Sequence, residues 1–184
     1  MQNKIIFGLS DIHICKDDDG IPIPIKGAKS VEIEISSDIT YAYIQHKKIP
    51  MATNKQARGQ LVVVGLSQEE LATLLGYEQD SNGGILVDEG LNAPQYHLLF
   101  SQQTASGDMM LYHVFRVRFS LPSVSGQTIE EGNIDFNEVV LDLDIEYDNN
   151  YKGYYYMKKS NGNDTNGWFG NLHYPTNKNI TRRW

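Results

Sequence analysis

The feature that most limits how this chain can fold is residues 60–77, where a strand pattern gives way to a helix pattern. Leu61, Val62, Val63 and Val64 form a short apolar, β-branched run that suits a strand packed into a core. Then the period changes. Ser67 stands where a helix N-cap would, with Glu70 three positions on. The Ser67 hydroxyl can accept from the Glu70 N–H while the Glu70 carboxylate accepts from the Ser67 N–H. Leu71, Leu74 and Leu75 share one face at helical spacing, and Gly76 follows as the residue that ends the helix. A helix of about ten residues does not persist alone in water, so its leucine face must pack on something. It is the one strong helix signal in 184 residues, and everything else reads as strand and turn. The helix is therefore expected to cover a β core.

Taken in order, residues 1–15 read as a short arm and a first strand, and residues 17–20 as a turn. Pro22 and Pro24 alternate with Ile21, Ile23 and Ile25, and each proline removes a ladder donor. This stretch is expected to be an edge or a connection. Val31, Ile33 and Ile35 alternate with Glu32, Glu34 and Ser36, the pattern of a half-buried strand, and the chain stays extended to Ile44. Residues 45–59 lose the pattern, which predicts a long basic loop carrying His46, Lys47, Lys48, Lys55 and Arg58. Asn82, Gly83 and Gly84 predict a turn into a short strand at Ile85, Leu86 and Val87. Strands are predicted over residues 96–100 and 109–119, with turns between them. Val139, Leu141, Leu143, Ile145 and Tyr147 alternate with Asp142, Asp144 and Glu146, and residues 154–158 read as a final strand. From Ser160 the composition turns to Asn, Gly and Thr, with Trp168, Phe169, Tyr174 and Trp184 interspersed. The domain reading is a β domain over residues 1–159 and a C-terminal extension or arm over 160–184, whose aromatics are expected to dock somewhere.

A chain of this length can bury a core without covalent staples. Its single cysteine, Cys15, excludes an internal disulfide and fits a reducing compartment. The N-terminus shows no secretory signal pattern, and no apolar run is long enough to span a membrane, so neither export nor insertion is expected. A net charge of −7 argues against gripping nucleic acid through its phosphates. That charge is local: between Arg118 and Lys152 there is no lysine or arginine but eight acidic residues.

Asp17, Asp19 and Gly20 imitate the middle of a calcium loop, but its first and last positions would be Cys15 and Lys26, so the match fails at both anchoring ends. His13 and Cys15 lack a second ligand pair at zinc spacing. The other histidines, His46, His97, His113 and His173, are scattered, and no serine lies in a nucleophile-elbow context. No enzyme, metal site or cofactor is expected. Asp142, Asp144 and Glu146 project to one side of their strand. That face reads either as solvated surface or as an electrostatic device.

The order of these pieces resembles the major tail proteins of long-tailed bacteriophages, which form the tail tube. The similar features are Phe7-Gly8-Leu9, residues 20–28, the strand over 31–35, residues 59–64 leading to the helix, residues 82–87, the strand over 96–100, and Ile129-Glu130-Glu131 before the last alternating strand. The resemblance implies a two-sheet β-sandwich or barrel with one flanking α-helix, similar to the tube protein of type VI secretion systems. It also implies homo-hexameric rings stacked into a hollow conduit, located in the virion tail after synthesis in the bacterial host cytoplasm. The implied partners are further copies of the chain and other tail proteins, namely tape measure, distal tail and terminator. DNA would pass through without specific binding. Asp142, Asp144 and Glu146, with Glu32 and Glu34, would then line the lumen, and the loop with His46, Lys47, Lys48, Lys55 and Arg58 would join subunits. The alternatives are a distal tail or terminator ring of the same fold, or a carbohydrate-binding β-sandwich exposing Tyr154, Tyr155, Tyr156 and Trp168.

Overall fold

A computed structural model describes residues 6–16, 20–44, 47–87, 93–120, 138–161, 165 and 167–176. Among these lie eight strands and one helix: β1 (Ile6–Cys15), β2 (Ile23–Pro24), β3 (Ala28–Ile44), β4 (Lys47–Val64), α1 (Gln68–Leu75), β5 (Tyr96–Thr104), β6 (Met109–Phe119), β7 (Glu138–Ile145) and β8 (Tyr155–Lys159). Every pairing is antiparallel, in the order β2-β1-β5-β6-β7-β4-β3, with β8 also on β6. The expected mainly β fold with one flanking helix is therefore present. Its strands belong to one hydrogen-bonded sheet that curls over a core.

The curl is visible where its two ends meet. The Ile25 N–H donates to the Ile12 carbonyl on β1 at 2.9 Å, and the Gly27 carbonyl accepts from Val64 on β4 at 2.8 Å. Two residues span at most about 7 Å, so this link holds opposite ends of the sheet together. Inside lie Ile12, Ile14, Leu61, Val63, Leu98, Phe100, Val117, Phe119, Leu141 and Leu143, contributed by alternate positions of five strands. The alternation read from the last acidic strand holds, with Leu141, Leu143 and Ile145 buried and Asp142 and Asp144 exposed.

The helix forms as its sequence requires. Ser67 Oγ accepts from the Glu70 N–H at 3.2 Å, and Glu70 Oε2 accepts from the Ser67 N–H at 2.9 Å. Gly76 adopts a left-handed φ of 74° and closes the last turn. Leu74 and Leu75 are buried against the sheet and Leu71 packs beside them, while the Tyr96 hydroxyl donates to the Thr73 carbonyl and ties the helix to β5.

Two expectations are corrected. Residues 47–59 are strand, not loop: β4 pairs with β3 from Ala28 opposite Val63 to Ile44 opposite Lys47. The β4–β7 ladder runs only from Ala57 to Val64, so residues 36–44 and 47–56 pair with each other alone among the described residues. Backbone pairing makes this ribbon. Its described side chains, at positions 36, 37, 41, 43, 47–49 and 56, are all exposed, and no apolar alternation marks it in the sequence. Ile85 makes one isolated bridge to Gln79 in place of a short strand. The described part of the C-terminal extension, residues 165 and 167–176, lies against the outer face of the sheet: Trp168 packs on Leu99, Met109 and Leu111, with Phe169 and Leu172 beside it. Residues 17–19, His46 and residues 121–137 lie outside the described residues, as do 162–164, 166 and 177–184.

Candidate functional site

Register brings the predicted acidic residues together across three strands. Glu32 on β3 stands opposite Gln60 on β4, which stands opposite Asp142 on β7. In the next outward-facing row, Glu34, Arg58, Asp144 and Arg118 follow one another across β3, β4, β7 and β6. These rows, Arg118 apart, face away from the core and line a groove of about 610 Å³, with Gly59 and Leu143 also in its lining. Gln60 Nε2 donates to Asp142 Oδ1 at 3.0 Å, fixing that carboxylate. The groove thus gathers four exposed carboxylates from strands far apart in sequence, with Arg58 among them.

Glu146 does not join them. It lies just beyond β7, where β6 changes neighbours: β6 pairs with β8 from Met110 to Val114 and with β7 from Val117 to Phe119. Arg116 sits at the switch with a left-handed φ of 52°, which is uncommon for a residue with a side chain. There Glu146 Oε1 is 3.1 Å from Arg118 Nε, Oε2 is 3.6 Å from Arg116 Nε, and Oε2 accepts from Gln95 Nε2 at 2.9 Å. Its charge is spent on two arginines and supports the junction.

Of the predicted basic set, Lys47, Lys48, Lys55 and Arg58 all lie on β4, and His46 falls outside the described residues. Lys47 and Lys48 belong to the ribbon's far end, Lys55 is opposite Ser37, and Arg58 belongs to the acidic groove. Lys48 Nζ lies 3.9 Å from the centre of the Tyr41 ring. Tyr43 is 74% exposed, Tyr41 52% and Ile49 41%, so the ribbon offers apolar and cationic surface together.

The aromatic set proposed for sugar contact does not form a platform. Trp168 and Tyr154 are buried, Tyr156 packs on Trp168, and Tyr155 is part-exposed on the opposite face of β8.

A second cluster escaped sequence reasoning. On the outer face, beneath the C-terminal segment, His113 Nε2 lies 3.0 Å from His97 Nδ1, and His113 Nδ1 lies 2.6 Å from the His173 carbonyl oxygen. Tyr174 closes over both rings and stacks on Tyr151 at 4.3 Å. Trp168 stacks on His173, and Phe169 stacks on His13, each at 4.3 Å. Burial holds the His13 imidazole below its ordinary titration range, against the opposing pull of Asp11. The one sequence signal was the alternation of Leu111, His113 and Phe115, which places His113 on the same face as two apolar residues.

No described helix is long and apolar enough to cross a membrane. No protein-family model matches the chain. No curated protein matches it either. Among solved structures, it is similar to the anti-feeding prophage cap (AFP tube terminating cap) determined by cryo-EM, with 8% identity and a TM-score of 0.48 over 81% of this chain and 88% of that one.

Proposed function

We propose that this chain is a non-catalytic structural protein of a phage tail, whose copies join through the β3–β4 ribbon into rings. The carrying observation is the ribbon itself. Residues 36–44 and 47–56 have only each other as backbone partners among the described residues, and they expose Tyr41, Tyr43 and Ile49. A two-stranded ribbon whose strands pair only with each other is marginal in water, and its outer edges are templates for another chain. A neighbouring copy supplies the cover. An arm from one subunit seated on a different patch of the next is a heterologous contact, which closes into a ring when the rotation permits.

In this reading the rings are hexameric and stack as a tail tube, and the groove of Glu32, Glu34, Asp142 and Asp144 faces the lumen. Like charge then keeps DNA phosphates off the wall, within a screening distance of about 8 Å at physiological salt. A basic wall would gain affinity with each phosphate it neutralised and would hold the DNA in place. The resemblance described from the sequence supports the tail assignment, and the gathering of those four carboxylates in one groove supports the lumen assignment.

The test is to replace residues 39–52 with a two-residue Asn-Gly turn between the facing residues Asp38 and Thr53, which removes the outer part of the arm with Tyr41, Tyr43 and Ile49 and keeps the β4–β7 ladder. The shortened chain is expected to fold, as read by circular dichroism, and to stay monomeric where the full chain forms rings. Rings formed equally well without the arm would overturn the proposal.

A further inference from the structure

The histidines beneath the C-terminal segment supply an inference that does not depend on the tail reading. A carbonyl only accepts, so the 2.6 Å contact with the His173 oxygen requires a proton on His113 Nδ1. In the neutral ring His113 Nε2 is then bare, and it accepts from His97 Nδ1–H at 3.0 Å. The geometry assigns both tautomers. The facing nitrogens of His113 and His97 have room for one proton between them, so the closed pair holds at most three ring protons. Two separated imidazolium rings hold four.

We propose that the His97–His113 pair is a proton-operated latch for the segment of residues 167–176, which is docked at neutral pH and released in acid. The released state binds more protons than the docked one, so lowering the pH favours release; raising it favours docking. Well below the ordinary histidine range, near 6.5, the open pair holds at least one proton more than the closed one, so the opening equilibrium should rise at least about tenfold for each pH unit.

The surroundings act in the same direction. His113 is fully buried, with Phe115 and Tyr174 against its ring, so a second charge there would be poorly solvated. The titratable groups around the pair are Cys15, opposite His97 on β1, Tyr156, opposite His113 on β8, with Lys158 further along, and Tyr151, Tyr174 and His173. Asp148, in the Tyr151 loop, has its carboxylate bonded to the N–H groups of Asn150 and Tyr151. His13, under Phe169, is also disfavoured as a cation while the segment is docked. The docking is imperfect besides: His13 Nδ1, under Phe169, and Trp168 Nε1 are buried without a hydrogen-bond partner. Each such group offsets part of the apolar gain and leaves the segment easy to release.

The experiment is amide hydrogen exchange on the full chain at pH 7.5 and 5.0, corrected for intrinsic rates and read on peptides covering residues 165–176, with β4 and β5 peptides as the reference. At pH 5.0 the segment is expected to lose at least tenfold protection while β4 and β5 keep theirs. The His113→Gln variant, whose amide can donate and accept in place of the two ring nitrogens without titrating, is expected to keep the segment docked and flatten the pH dependence. Equal protection at both pH values, or loss spread equally over the whole chain, would overturn the latch. So would an undiminished pH response in a natively folded His113→Gln. If that variant does not fold, ring ¹⁵N spectra of the wild type decide: Nδ1–H on His113 at pH 7.5 is required, and Nε2–H contradicts it.

Discussion

Gly59 and Glu32 meet without room for a side chain: a Cβ on Gly59 would lie 2.3 Å from the Glu32 carbonyl oxygen and 3.3 Å from Leu143 Cδ1. The near atom is backbone, so the strand itself must shift to admit a methyl group. Gly59 also lines the acidic groove, so the close β3–β4 pairing it permits lies beneath those carboxylates. Gly59→Ala is therefore expected to lower stability by about 1–3 kcal/mol, read from urea unfolding. An unchanged midpoint would show that the strands do not approach as described.

The Ser67–Glu70 capping box gives a second prediction. Ser67→Ala removes the side-chain acceptor for the Glu70 N–H and should cost about 1 kcal/mol, while Ser67→Gly should cost less. The Ser67 backbone N–H and then the Ser67 hydroxyl hold the Glu70 carboxyl below its ordinary range. A carboxyl depressed in the folded state stabilises above its unfolded value, and that contribution fades as pH falls through the folded one. The gap between wild type and Glu70→Gln should accordingly narrow on acidification from pH 6 to pH 3, a trend measurable by thermal unfolding.

Trp168 is 4% exposed and anchors the C-terminal segment on Leu99, Met109 and Leu111. Trp168→Ala should cost about 3 kcal/mol of the segment's docking free energy and bare that patch, detected as increased binding of a hydrophobic dye. Dye binding equal to that of the wild type would mean that the segment holds without its anchor.

The acidic residues separate into two roles that substitution can distinguish. Lysines at Asp142 and Asp144 should leave the fold intact and slow DNA delivery in a reconstituted particle, because those side chains face the groove. Glu146→Gln should instead lower stability by at most about 1 kcal/mol, since its arginine partners are part-exposed, and leave delivery unchanged. Identical effects at all three positions would remove the distinction.

Local chemistry was legible where it is written within a few residues. Ser67, Glu70 and Gly76 specify the helix ends without help from the rest of the chain, and the alternation from Leu141 to Ile145 specifies a half-buried strand. The ribbon was not legible because apolar periodicity reports a core, and residues 47–56 form strand through backbone pairing with β3 instead. The acidic groove was legible in part. Asp142 and Asp144 follow from one strand's alternation, but joining them to Glu32 and Glu34 needs a register across three strands. Glu146 shares that alternation and still departs, because the neighbour change at Arg116 redirects it toward two arginines. The histidine pair spans β5 and β6 and is completed by a backbone carbonyl at His173, so no spacing in the sequence announces it.

The central claim is that copies of this chain cover one another's ribbons in a ring. The most direct measurement is negative-stain electron microscopy of the purified protein over a concentration series, with sedimentation velocity on the same samples. The account predicts rings or hollow tubes that grow more abundant with concentration at the expense of monomer. A single monomeric species up to the solubility limit, with no ring in any field, would contradict it.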